Sequence, residues 1–191
     1  GVVTGVAAGS ATITYTVTNG NGCSSAVTAT VNVNIGTTAT ITAGGTTTFC
    51  EGGSVVLTAS AGSTYDWSNG AQTPSITVVA GGSYYVTVTN AAGCSATSAA
   101  TVVTVNPLPA VAALTGATNV CSGSTTQLAS ATTGGVWTSS DASIATVSTT
   151  GVVTGVAAGS ATITYTVTNG NGCSSAVTAT VNVNSGATAT I

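Results

Sequence analysis

The sequence contains no lysine, no arginine and no histidine, and its only carboxylates are Glu51, Asp66 and Asp141. The formal net charge is −3 and charged residues make up 2% of the chain, against about 25% in an average globular protein. Without cations nothing neutralises a phosphate backbone, so nucleic acid is excluded as a partner. An anionic membrane surface has nothing to attract either. Three scattered carboxylates without His or Lys leave most acid–base and nucleophilic chemistry without its parts. No enzymatic activity and no cofactor is therefore expected. Methionine is also absent, Phe occurs once and Pro three times. No apolar run approaches the ~18 residues of a membrane-spanning helix, so no direct membrane insertion is expected.

What fills the chain is Thr, Ala, Val, Gly and Ser. Apolar residues reach 43%, enough to build cores and unlike the low-hydrophobicity, high-charge pattern of disorder. Thr and Val are β-branched and favour strands, while the usual helix formers are scarce. The composition predicts an all-β fold.

Residues 1–34 recur without change as 151–184, an offset of 150 residues. A weaker likeness divides that period. Cys50 and Gly52 match Cys121 and Gly123, Leu57 and Trp67 match Leu128 and Trp137, and Asn90–Cys94 matches Asn169–Cys173. The domains read as 35–106 and 107–184, with 1–34 the C-terminal half of a third and 185–191 the start of another. The 1–34 segment holds only the last strands of a domain, so it is expected to be completed by residues outside this numbering.

Within each domain the residues alternate with period two. Val55, Leu57 and Ala59 share one face, as do Ile163, Tyr165 and Val167, and again Val177, Ala179, Val181 and Val183. Such alternation marks strands with one packed and one solvated face. Asn90-Ala91-Ala92-Gly93 and Asn169-Gly170-Asn171-Gly172 read as hairpin turns. About seven short strands per domain with a Trp on the third predict a β-sandwich. The expected core comprises Trp67, Trp137, Leu57, Leu128 and Tyr165. Tyr65 and Tyr84 are expected to face inward as well, and Tyr85 outward.

The stretch Val136-Trp137-Thr138-Ser139-Ser140-Asp141, followed by Ala145-Thr146-Val147, Gly151-Val152-Val153-Thr154-Gly155-Val156 and Ala158-Gly159-Ser160-Ala161-Thr162-Ile163, resembles bacterial immunoglobulin-like domains of group 2. Residues 35–106 are similar to the Ig- or PKD-like repeats that alternate with such domains in giant cell-surface adhesins of gliding Bacteroidota-type bacteria. The resemblance implies tandem Ig-like sandwiches strung end to end, an extracellular place on a bacterial cell surface, and a stalk or filament role in cell adhesion or gliding motility. A module that binds a surface ligand, glycan or ice, is the alternative. Rows such as Thr162, Thr164, Thr166 and Thr168 suit an ice lattice, but sandwich sheets twist and Thr is the usual uncharged strand former. The carboxylates are spread one per loop, so each reads as solvated and no metal site is expected.

Five cysteines without a histidine suit an oxidising compartment better than a zinc site. Each complete domain carries one before its second strand (Cys50, Cys121) and one after the last hairpin turn (Cys94, Cys173), as does the half domain at Cys23. In an Ig-like sandwich these positions lie at opposite poles, about a strand's length of 20–30 Å apart, whereas a disulfide needs Cα atoms within about 4.4–6.8 Å. End-to-end stacking brings the C-terminal pole of one domain to the N-terminal pole of the next. The preferred pairing is therefore interdomain, Cys50 with Cys173, leaving Cys23, Cys94 and Cys121 to partners outside the chain. The alternative is intradomain, Cys50 with Cys94 and Cys121 with Cys173. Pro107 and Pro109 predict a stiff 106/107 junction, and Ile35-Gly36 a more pliable 34/35 junction unless something else locks it. The uncharged surface and its Thr and Asn rows predict lateral self-association, so the expected partner is another copy, end to end or side by side.

Overall fold

Every regular element among the residues described by the computed structural model, 1–186, is a β-strand, and the longer ones alternate Val, Ala or Ile with Thr, Ser or Asn. The remainder of the 185–191 segment lies outside the described residues. Two compact units form, one of Gly1–Phe49 with Gly53–Thr104 and the other of Cys50–Gly52 with residues from Val105 onward. Residues 1–34 thus group with most of 35–104, and the short piece Cys50–Gly52 groups with the residues that follow Thr104.

The first unit opens with a hairpin of β1 (Gly9–Thr18) and β2 (Ser24–Val33), paired from Gly9↔Val33 to Thr18↔Ser24. Nine short strands follow: β3 (Ile41–Ala43), β4 (Thr48–Cys50), β5 (Val55–Ala59), β6 (Thr64–Trp67), β7 (Ser75–Val78), β8 (Gly82–Tyr84), β9 (Val86–Thr89), β10 (Ser95–Thr97) and β11 (Thr101–Asn106). They form three small sheets, ordered β3-β5-β7, β10-β9-β6 and β4-β11-β8. Period-two alternation turns Val55, Leu57, Ile76, Val78, Val86 and Val88 into the core with Trp67 and Val103. Trp67 keeps its indole N–H satisfied by donating to the Thr73 carbonyl at 2.8 Å. Tyr65 shares the inward face of Trp67, but it and Tyr84 are only half-buried. Their hydroxyls stay at the rim, donating to the carbonyls of Gly62 and Ala80. Tyr85 faces outward.

Two strands of this unit change sheets midway, β8 to β9 at Tyr85 and β10 to β11 beyond Thr97. Ser98 sits buried at the crossing. Its hydroxyl accepts from Val86 N at 3.1 Å and donates to the Ala99 carbonyl, while Ser98 N donates to the Val86 carbonyl. Backbone groups that leave a ladder inside a core need such partners.

The second unit contains β12 (Asn119–Cys121), β13 (Thr125–Gln127), β14 (Val136–Ser139), β15 (Ala145–Val147), β16 (Val152–Gly155), β17 (Gly159–Thr168) and β18 (Ser174–Asn184). One sheet has the order β12-β18-β17-β14 and the other β13-β16-β15. Only β12 runs parallel to its neighbour, with Val120 opposite Val183 and Cys121 opposite Asn184. The two inner faces enclose Val120, Leu128, Ala145, Val153, Ala161, Ile163, Val181 and Val183. This is an Ig-like β-sandwich. Gly155 passes so close to the first sheet that a Cβ would stand 2.8 Å from the Cys121 carbonyl and 2.9 Å from Val183. Trp137 packs against this core without being fully enclosed by it. It is half-buried and covers the core edge, its ring centroid 4.5 Å from that of Tyr165. The buried Tyr165 hydroxyl accepts from Gly135 N at 2.8 Å and donates to the Thr132 carbonyl at 2.9 Å.

The repeated 34 residues make a controlled comparison. β1 and β2 pair in the same register as β17 and β18, residue for residue. In the second unit residues 107–150 cover their apolar face, leaving Ile163 0% and Tyr165 5% exposed, while Ile13 and Tyr15 are 40% and 68% exposed. Hairpin pairing is therefore encoded within the 34 residues. Burial is supplied by what lies against them.

Candidate functional site

Three hairpin turns carry the same sequence logic, Asn followed four residues later by Cys. In each turn the Asn side-chain oxygen accepts two backbone N–H groups. Asn169 takes those of Asn171 and Cys173, Asn90 those of Ala92 and Cys94, and Asn19 those of Asn21 and Cys23, at 3.0–3.1 Å. Gly172, Gly93 and Gly22 close the turns with φ of 78°, 79° and 82°, a region where a side chain is strained. With its oxygen occupied, the Asn amide nitrogen remains free to donate elsewhere.

That nitrogen holds the chain entering each domain. Asn169 Nδ2 donates to the Pro107 carbonyl at 2.9 Å, and Asn90 Nδ2 donates to the Ile35 carbonyl at 2.8 Å. Asn34 Nδ2 returns a bond to the Ala92 carbonyl at 3.2 Å. The 34/35 connection, pliable from its sequence, is tied by these bonds to the turn beside it. Reading Asn90 and Asn169 as turn formers alone misses this second role. Their recurrence at one position in each repeat was the available signal.

The cysteines sit on the same frame. The structure joins Cys50 to Cys173, with Cα atoms 5.6 Å apart and a sequence separation of 123. Cys173 is fully buried and its sulfur lies 3.9 Å from the Asn106 carbonyl. Next to Cys50, Glu51 N donates to that same Asn106 carbonyl at 2.8 Å. The bond thus ties a position in the 35–106 repeat to one in the 107–184 repeat. Cys23 and Cys121 are exposed, Cys94 is half-buried, and all three are unbonded.

The carboxylates are exposed and stay apart. Among the described residues no three of His, Cys, Asp and Glu gather closely enough to hold a metal ion. Asp141 accepts from Ser143 Oγ at 2.6 Å and Ser143 N at 2.9 Å. The side-chain bond from Ser143, followed by the backbone one, holds its pKa below the ordinary 3.8. No helix among the described residues is long and apolar enough to cross a membrane.

Residues 99–177 match the family model of the bacterial Ig-like domain (group 2). The match runs from the end of the middle repeat into β18, less than half of the chain. No curated protein matches. Solved structures with partial likeness include a 1.5-MDa bacterial ice-binding adhesin, at 18% identity and a TM-score of 0.41 over 93% of this chain and 75% of that one. A Ca²⁺-stabilised adhesin of an Antarctic bacterium gives 16% identity and a TM-score of 0.42, over 94% of this chain and 58% of that one. The surface layer protein SbsC, domains 4–9, gives 24% and 0.28, over 71% and 26%.

Proposed function

We propose that the chain is a structural segment of an extracellular bacterial surface protein, an adhesin stalk or filament whose work is to span distance and bear load. The Cys50–Cys173 bond carries this reading. It closes 123 residues of separation into one covalent loop that straddles two repeats. A stretched chain with that closure cannot extend through the loop while the bond is intact. Disulfides persist in oxidising, extracellular settings, which supports the location. The absence of Lys and Arg removes trypsin-type cleavage sites, a useful property outside the cell.

The role proposed is mechanical and not catalytic. The other repeats of the parent protein would be of the alternating Ig- and PKD-like kind found in giant adhesins of gliding Bacteroidota-type bacteria. Its partners are further copies of itself, end to end, with lateral contacts favoured by weak charge repulsion. Glycan-array binding and ice-recrystallisation inhibition assays on the 191-residue chain test the reading. No saturable binding to sugars and no effect on ice growth is the expected result. Strong, saturable binding to either would make the chain a ligand-binding module and overturn the proposal.

A further inference from the structure

The free cysteines Cys94 and Cys121 occupy the two halves of a junction that the structure shows complete once. In the complete junction, Cys50 ends β4 beside Asn106, and Glu51 N donates to the Asn106 carbonyl at 2.8 Å. Cys121 ends β12 in the same way. It stands opposite Asn184, and Ser122 N donates to the Asn184 carbonyl at 2.9 Å. On the other side, Cys173 follows the Asn169 turn, whose amide holds Pro107 at 2.9 Å. Cys94 follows the Asn90 turn, whose amide holds Ile35 at 2.8 Å. Cys121 therefore repeats the setting of Cys50, and Cys94 repeats that of Cys173.

The 1–34 hairpin shows what would bring them together. In its identical copy, Asn182, Val183 and Asn184 pair with Asn119, Val120 and Cys121. The equivalent residues are Asn32 and Val33 at the end of β2 and Asn34 just beyond it. There an open recess is lined by Val33, Asn34, Ile35 and by Asn90, Ala91 and Ala92 of the turn that leads to Cys94. A second copy of segment 107–150 seated on this hairpin as the first sits on 151–184 would bury Ile13 and Tyr15. Its β12 would lie along β2, and its Cys121 would reach the turn carrying Cys94.

We propose that the apolar face of 1–34 is the docking face for a second copy of segment 107–150, and that docking forms a disulfide between that copy's Cys121 and Cys94. This rests on the internal duplication and stands whether or not the stalk reading does. In the covalent step each thiol gives up a proton and the two sulfurs together release two electrons. A disulfide oxidant of the glutathione type accepts them and becomes two thiols. Cys23 would then occupy the position that Cys173 holds in its own domain.

The test extends the full 191-residue chain by placing the sequence of residues 107–150 directly ahead of Gly1, which reproduces the continuity of Thr150 with Gly151. The probe is the number of free thiols after refolding with oxidised and reduced glutathione. The original chain has three unbonded cysteines. The extension adds one more, yet the count should fall to two, Cys23 and the original Cys121. Cys121→Ser in the added copy should raise the count to three, whereas Cys121→Ser at the original position should lower it to one. Cys94→Ser separates docking from bonding. In that variant the Tyr15 side-chain NMR resonances should still move onto those of Tyr165. Four or more free thiols in the extended chain, or Tyr15 left with its solvent-exposed resonances, would overturn the proposal.

Discussion

Replacing Tyr165 and Tyr15 by Ala, one at a time, perturbs the same residue in the same local sequence and register. Tyr165 is 5% exposed and Tyr15 is 68% exposed. Removing a buried aromatic side chain costs about 3–5 kcal/mol through lost transfer energy and the cavity left behind. Tyr165→Ala also strands Gly135 N and the Thr132 carbonyl, the two partners of its hydroxyl. Each orphaned group adds about 1 kcal/mol or more where water cannot reach it. Both are near the surface, so a total of about 4 kcal/mol is the working figure. With an m-value of about 2 kcal/mol per M for urea, the midpoint should fall by about 2 M. Tyr15→Ala should shift it by less than about 0.3 M, the range of an exposed substitution. Equilibrium urea unfolding of the oxidised chain, followed by the fluorescence of Trp67 in the first unit and of Trp137 beside Tyr165 in the second, reads the difference. Equal shifts for the two substitutions would refute the assignment of burial to residues 107–150.

Other consequences are as specific. Cys50→Ser opens a loop of 123 residues, for which chain-closure entropy gives a loss of up to about 5 kcal/mol in unfolding experiments; no change on substitution would mean the bond does not form in solution. Gly155→Ala drives a methyl against the Cys121 carbonyl and should destabilise the second unit by about 1–3 kcal/mol. Gly5→Ala meets only Val33 methyls, at 3.0 Å and 3.1 Å, and should be tolerated, so equal effects in thermal melts would contradict the two environments. Stability should vary little between about pH 5 and 8, because the chain has no His, Lys or Arg to change charge. Asp141 has its folded pKa lowered by Ser143, so it stabilises the fold above the ordinary value near 3.8. That contribution is lost as pH falls through the lower folded value, and Asp141→Asn should flatten the acid limb of a pH titration of stability.

The all-β fold was legible because alternation in β5, β17 and β18 is strict enough to assign each residue a face. Trp137 was less so. Its pattern marks the inward face, but position along the strand sets depth, and β14 lies at the edge of its sheet, opposite β17. Tyr65 and Tyr84 fall short of the interior for a related reason, since a hydroxyl that needs a partner stops at the rim. The crossing at Ser98 was invisible. A lone Ser between two strand segments carries no periodic signal, and its role exists only once two strands change sheets together. The Asn clasps were readable as repeats but not as contacts, because the same residue serves both its own turn and a chain segment 62 positions away.

Pulling the 191-residue chain from its two ends, one molecule at a time, tests the covalent closure directly. With the disulfide intact, complete unfolding should release less contour length than the sequence allows. The missing length is that of 123 residues, roughly 440 Å at about 3.6 Å per residue. Adding a reductant under load should release it in a further step, and Cys50→Ser should show the full length from the start. Full contour length from the oxidised wild-type chain, with no reductant-dependent step, would contradict the account.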